Sequence, residues 1–151
     1  MANKRTSRIK KRISLMLLGL LLITAALFLT GYNIWDEERA NVAATEVLEQ
    51  VNLPLVDDEA TPDYELNPYM EMPIKTIDNH GYIGVLDIPA LNISLPIMTD
   101  WSYPKLRIVP NRYLGSVYTD DMIIAGHNYR THFGSLKLLS SGDRISFTDM
   151  D

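Results

Sequence analysis

The sequence predicts a mostly β domain that is preceded by an N-terminal transmembrane helix and an extended linker. Three features support this fold class: an uncharged apolar run at residues 13–32, a segment rich in proline and acidic residues at 52–79, and short apolar runs separated by glycine and proline from residue 81 onward. Short runs of this last kind are typical of a barrel or a sandwich. The predicted parts are a cytoplasmic basic tail at 1–12, a transmembrane signal anchor at 13–32, an extracytoplasmic stalk and linker at 33–80, and the domain at 81–151.

The apolar run at 13–32 is long enough to cross a membrane. A helix rises about 1.5 Å per residue, so a run of this length spans roughly 30 Å, the thickness of the hydrocarbon layer. Six basic residues and no acidic one lie in positions 1–12, and Asp36, Glu37 and Glu38 follow the run. The positive-inside rule therefore places the N-terminus in the cytoplasm and the rest outside. The apolar region of a cleaved signal peptide is usually about 7–15 residues. This longer run favours an uncleaved anchor in the cell membrane.

Charge and cysteine usage exclude several classes of protein. The chain has 151 residues and a net charge of −5, but six of its 14 basic residues lie in the N-terminal tail. The remainder carries 8 basic against 19 acidic residues, about −11, and so does not suit nucleic acid. There is no cysteine, which excludes a disulfide and a thiolate metal site.

Residues 36–51 have the spacing of a helix, since apolar residues recur three and four apart: Ala40, Ala43, Ala44, Val47, Leu48 and Val51. We expect them either to continue the membrane helix as a stalk or to form a solvated helix. Residues 52–79, with four of the eight prolines, predict an extended linker.

The domain is predicted to contain several short strands. Residues 82–89 predict a strand, and the alternation across residues 93–98 predicts a half-buried one. Ser102 is expected to cap a short helix. The run at 122–125 predicts a fully buried strand, and a further strand is expected near residue 145. Because nothing completes the sheet before Asp151, residues 81–151 alone are expected to be poorly ordered.

His127 is the residue best placed to carry chemistry. The strand predicted at 122–125 leads through Gly126 to this histidine. A strand fixes the backbone at its end, and an imidazole, with an unperturbed pKa of about 6.5, suits proton transfer near neutral pH. A histidine at the end of a strand is also often structural, and its position alone does not separate the two roles.

Short motifs around this histidine resemble the sortase family. Sortases place their catalytic histidine in a strand-end segment of the type I-A-G-H, followed by a short loop and F-x-x-L. This sequence has IAGH at 124–127 and FGSL at 133–136. The further similar segments are IGVLDIP at 83–89, LPI at 95–97 and residues 138–148. The resemblance covers residues 81–151, nearly half of the chain.

The resemblance implies a partial sortase-type β-barrel and a membrane-anchored cysteine transpeptidase. In such an enzyme a cysteine attacks an LPxTG-like sorting signal and forms an acyl-thioester, which an amine of a cell-wall precursor or a pilin resolves. His127 would be the proton donor and acceptor, and an arginine would stabilise the substrate or oxyanion. The matching cysteine and arginine are absent, so we expect an N-terminal portion that is inactive alone. The implied partners are proteins with a sorting signal, the amine, and the membrane through residues 13–32. No cofactor is expected.

Two other functions remain open at this point. The chain is also compatible with another Cys/His surface transpeptidase, such as an L,D-transpeptidase, and with a non-enzymatic membrane-anchored β domain. The downstream coding sequence would separate them. A Thr-x-Thr-Cys type motif would favour the sortase, a His-Gly-Cys arrangement the second enzyme, and a stop codon without cysteine the binding domain.

Other polar residues have simpler interpretations. The spacing of His127 and His132 matches no recognised metal-ligand pattern. Asp120 and Asp121 predict a turn, because adjacent residues on a strand would point to opposite faces. Ser135 lacks the signature of a nucleophile. His80, in the linker, is expected to be solvated. Trp101 is either part of a groove at the mouth of a loop or a core residue, and we expect the core position.

Overall fold

The computed structural model of the chain describes residues 2–51 and 67–150, with side chains from residue 10 onward. The chain divides into two compact units, Met1–Asp36 and Glu37–Asp151. Half of the predicted linker, residues 52–66, lies outside the described residues.

The first helix, α1, is Ala2–Gln50 and belongs to both units. Within the described residues it is the one helix apolar and long enough to be a candidate membrane span. Large apolar side chains along residues 13–32 are exposed, as a lipid-facing helix requires.

Residues 37–50 do not form a solvated stalk. Ala40, Ala44 and Val47 are buried, and Ala44 and Val47 belong to the main apolar core of the second unit. The spacing of these residues places them on one face of α1, which packs into that core. The core also includes Met72 and Ile77, so the packed unit begins well before residue 81.

The second unit is built on a six-stranded mixed sheet. Its strands are β1 (Lys75–Ile77), β2 (His80–Ile88), β3 (Ile93–Met98), β4 (Asn111–Leu114), β5 (Ile123–Ala125) and β6 (Ser146–Asp149). The order is β1-β2-β3-β4-β5, and β6 also pairs with β2. The central strand β2 pairs with β3 along one edge, while β1 and β6 pair with its first and second halves.

Turn chemistry explains the hairpin of β1 and β2. Ile77 pairs with His80, so Asp78 and Asn79 alone form the turn, and both have positive φ angles. Asp and Asn tolerate this conformation better than most residues and are favoured in such two-residue turns. β1 was not predicted, because its three residues, KTI, contain no apolar run.

Strands β3 and β4 form the one parallel pairing among the described strands, at Met98 and Asn111. A short helix, α2 (Tyr103–Leu106), lies in the connection between them and is capped by Ser102, as predicted. β4 and β5 then pair antiparallel. The mostly β fold is as expected from the sequence, and the sheet of the described residues is not closed.

Two predicted burial patterns were wrong. In β3, Pro96 and Met98 are buried along with Ile97, so the alternation expected of a half-buried strand is present only at Ser94, which is exposed. The sequence predicts a fully buried strand at 122–125. The structure has the shorter strand β5 there, and the side chain of Ile123 is 51% exposed. Its position at the end of the strand order accounts for this exposure.

Candidate active site

His127 lies two residues beyond β5, where the sequence predicts it. The residue between them, Gly126, is required by packing, because a Cβ atom there would overlap the ring of Phe133. The backbone N–H of Phe133 donates to the His127 carbonyl oxygen at 3.2 Å. Thus the IAGH and FGSL motifs contact each other, and together they close the loop of residues 127–133.

The rest of the loop is held by its own backbone. The N–H groups of His132 and Gly134 donate to the carbonyl oxygen of Tyr129 at 3.0 and 2.8 Å. The Ser135 hydroxyl donates to the Arg130 carbonyl oxygen at 3.2 Å. These bonds give the loop a defined shape, and Ser135 is one of the residues that maintain it.

Three rings of the loop lie against each other. The His127 and Tyr129 rings are stacked, with centroids 3.7 Å apart and planes inclined by 21°. The centroid of the Tyr129 ring lies 5.2 Å from that of the His132 ring, and the two planes are inclined by 63°. His127 is half-buried, and its Nδ1 atom is enclosed without a hydrogen-bond partner among the described residues.

His132 is fully enclosed, and neither of its ring nitrogens has a hydrogen-bond partner among the described residues. Burial, and to a lesser degree repulsion by the charge of His127, lowers the pKa of His132 to about 4. Burying a neutral imidazole without polar partners costs much less free energy than burying a charged one. His132 therefore packs as an uncharged ring at neutral pH.

Glu37 of α1 contacts the same loop. Its Oε1 atom accepts a hydrogen bond from the backbone N–H of Arg130 at 3.0 Å and lies 3.8 Å from Nε of that arginine. The Arg130 side chain is 89% exposed, so the charge of this pair is largely solvated. The useful contact is the one from carboxylate to backbone, which fixes the loop beside the helix.

The other predicted residues take structural positions. Asp120 ends a 3₁₀ turn with a positive φ angle, and Asp121 accepts from Ser116 and Thr119, which confirms the predicted turn. The hydrogen bond from the Thr119 hydroxyl, and to a lesser degree the one from the Ser116 N–H, lowers the pKa of the Asp121 carboxyl. No group of three or more histidine, cysteine, aspartate or glutamate side chains suited to a metal occurs in the described residues.

Trp101 and His80 do not belong to this loop. Trp101 is 38% exposed and packs against Tyr103 and Tyr113, beside a cleft of about 440 Å³ that Arg112 also lines. The expected core position of Trp101 is therefore wrong, and the side chain lines the cleft instead. His80 begins β2, and its Nδ1 lies 2.9 Å from the Asp78 carbonyl oxygen, across the hairpin turn.

Sequence reasoning missed Tyr129 and Glu37. Tyr129 is an isolated aromatic residue in a polar loop, without a period or motif that would indicate stacking. Glu37 is 93 positions from its partner Arg130, and no local pattern could connect the two.

No known family profile matches the chain, and no curated protein matches it. Two solved structures are similar. One is sortase C1 from Streptococcus agalactiae, with 23% identity over 63% of this chain and 52% of that chain, and a TM-score of 0.44. The other is sortase C from Streptococcus pneumoniae, with 17% identity over 77% of this chain and 60% of that chain, and a TM-score of 0.41. The chain thus spans about half the length of the first and three fifths of the second. This likeness concerns the fold alone: the chain is similar to two solved sortases.

Proposed function

We propose that this chain carries the histidine side of a sortase active site, in a membrane-anchored cysteine transpeptidase. The observation that supports the proposal best is the closed loop at the end of β5. There, the IAGH and FGSL motifs contact each other and hold a half-buried His127 next to the end of a strand. A catalytic imidazole requires this combination of fixed backbone and partial access.

The proposed reaction has two steps. A thiolate attacks the peptide carbonyl carbon of an LPxTG-like sorting signal, the C–N bond breaks, and His127 gives its proton to the leaving amine. An amine of a cell-wall precursor or a pilin then attacks the acyl-thioester. His127 takes the proton of this amine, and the thiolate leaves. Because Nδ1 is enclosed, we assign the proton exchange to Nε2.

The thiol of this reaction must come from residues that this sequence does not contain, since it has no cysteine. The same applies to the oxyanion-stabilising arginine. Arg130, the one arginine of the His127 loop, has an exposed side chain beside Glu37. The 151-residue chain by itself is therefore expected to have no transpeptidase activity.

The test is the effect of His127→Ala on transfer of a sorting-signal peptide to an amine by the protein that includes the thiol. We expect kcat/KM to fall by about 10²–10⁴, because a positioned acid–base group contributes that much. His80→Ala is the matched control, since His80 lies at the β1–β2 turn, and it should retain most activity. Small and equal effects of the two substitutions would make His127 a structural residue and refute the proposal.

A further inference from the structure

The Tyr129 ring is closely stacked on the His127 ring and is itself buried. The centroid distance of 3.7 Å is shorter than the roughly 4.5–7 Å usual for aromatic pairs, so the two rings overlap face to face. Tyr129 is only 8% exposed, whereas His127 is half-buried. One face of the imidazole is therefore covered by a ring that is itself enclosed.

Tyr129 is also the best-anchored residue of the loop. Its carbonyl oxygen accepts from both His132 and Gly134. A Cβ atom on Gly134 would come within 2.8 Å of that oxygen, so the close approach requires glycine. On the side of its ring, Tyr129 meets the fully buried His132. Any displacement of Tyr129 would disturb all of these contacts together.

An imidazole without such a neighbour would be free to turn. A side chain has about three staggered χ1 positions, and only one of them directs a given ring nitrogen at the substrate. The aromatic face of a tyrosine also attracts a cation, so it holds the ring in its protonated form as well. The stack can therefore keep one orientation through both proton transfers.

We propose that Tyr129 is a positioning residue for His127, the flat surface that fixes the plane of the imidazole and the direction of Nε2. This inference rests on the proposed function for its role in the reaction. The stack itself is a property of the folded chain and can be measured without any activity.

The direct test is nuclear magnetic resonance of the full chain in detergent micelles with labelled histidine rings. The chain has three histidines, and His127→Gln assigns the signal of interest. We expect the His127 ring protons to be shifted upfield by the ring current of Tyr129. The shift should persist in Tyr129→Phe and disappear in Tyr129→Leu. An unshifted signal in the wild type, or one that Tyr129→Leu leaves unchanged, would overturn the inference.

The kinetic test uses the protein that includes the thiol. Tyr129→Leu should lower kcat roughly 10-fold, between the threefold loss from free χ1 rotation and the hundredfold loss from a 1 Å displacement. KM should change little, and Tyr129→Phe should retain most of kcat. If Tyr129→Leu fails to fold, Tyr129→Met fills similar space without an aromatic face and should show the same loss.

The outcomes separate the two proposals. If His127→Ala is active and the wild-type chain shows the ring-current shift, the sortase proposal fails, but the stack of Tyr129 on His127 is confirmed. If His127→Ala is inactive but kcat is equal in Tyr129→Leu, Tyr129→Met and wild type, the role of Tyr129 is wrong and the proposed function stands.

Discussion

The ring of His132 shows how strongly one position in the loop is constrained. It is fully enclosed next to Tyr129, and its nitrogens have no hydrogen-bond partner among the described residues. From sequence alone, His132 is a second histidine of the loop without an assigned role, and replacing it would be expected to leave most activity intact. Its burial means that truncation to alanine would leave a cavity and destabilise the loop. His80 is therefore the better control for His127.

His132 should make stability depend on pH. Its unfolded-state pKa is about 6.5 and its folded pKa is about 4, so between these values the unfolded chain binds more protons. Stability therefore falls as the pH is lowered from about 6.5 to about 4, by on the order of 3 kcal/mol, and this residue adds no further loss below that range.

The measurement is the free energy of unfolding of the full chain in detergent at several pH values, for wild type and His132→Phe. The uncharged ring in the variant should remove this part of the pH dependence, while His80→Phe should retain it. A His132 ring proton that titrates near pH 6.5 in magnetic resonance spectra would contradict the prediction.

At the residue scale, the sequence identifies His127 as the candidate residue but does not predict which residues surround it. The motif places a histidine at the end of a strand, and local patterns of this kind survive folding because backbone geometry fixes them. Tyr129 contacts His127 and His132 only because the loop is folded as it is, and Glu37 contacts the loop from a distant helix. Such contacts leave no trace in periodicity or spacing.

At the scale of elements, residues 37–50 of α1 are part of the packed unit. Ala40 and Ala44 allow the helix to lie close to the sheet core because their side chains are small. Further contacts connect the helix to the rest of the unit: Arg39 donates to the carbonyl oxygen of Arg107, and Lys75 donates to that of Gln50. A segment that begins at residue 81 lacks this helix, Met72 and Ile77, which adds a reason to expect it to be poorly ordered.

Ala44→Asp should destabilise this packing. Ala44 is 4% exposed, and an uncompensated charge there should cost roughly 3–5 kcal/mol. Val42→Asp is the matched control on the same helix: Val42 is 46% exposed, so the change should stay within about 0.5 kcal/mol. Denaturant unfolding followed by Trp101 fluorescence, in a Trp35→Phe background, measures both. Equal effects would mean that residues 37–50 do not pack as described.

The sequence predicts most elements and fewer of their environments. β2, β3, β5, β6 and α2 follow from apolar runs and a capping serine. β1 (KTI) and β4 (NRYL) contain no apolar run or alternation that would indicate a strand. Burial in β3 and β5 depends on what packs over the faces of these strands, and the sequence of a single strand contains no information on that.

At the scale of the whole molecule, the charge distribution around the apolar run predicts the topology. Basic residues precede residues 13–32 and acidic ones follow, so we expect a single-pass protein with a cytoplasmic N-terminus. A reporter enzyme fused after Asp151 should be active only when it is a type that functions outside the cytoplasm. As a control, a fusion after Arg12 should give the opposite result. Activity of the Asp151 fusion in the cytoplasm would contradict the assignment.

The contact between Glu37 and Arg130 also has a consequence for the order in which the molecule assembles. It joins positions 93 residues apart, and closing a flexible loop of that length costs roughly 4 kcal/mol before any constant is added. An exposed ion pair contributes about 1 kcal/mol at most. The contact therefore cannot bring its own ends together, and it must follow the docking of Ala44 and Val47 into the core. All strands from β1 to β5 lie between the two residues, so we expect the contact of Glu37 with the His127 loop to form after the sheet, whereas the short-range hydrogen bonds within the loop do not depend on it.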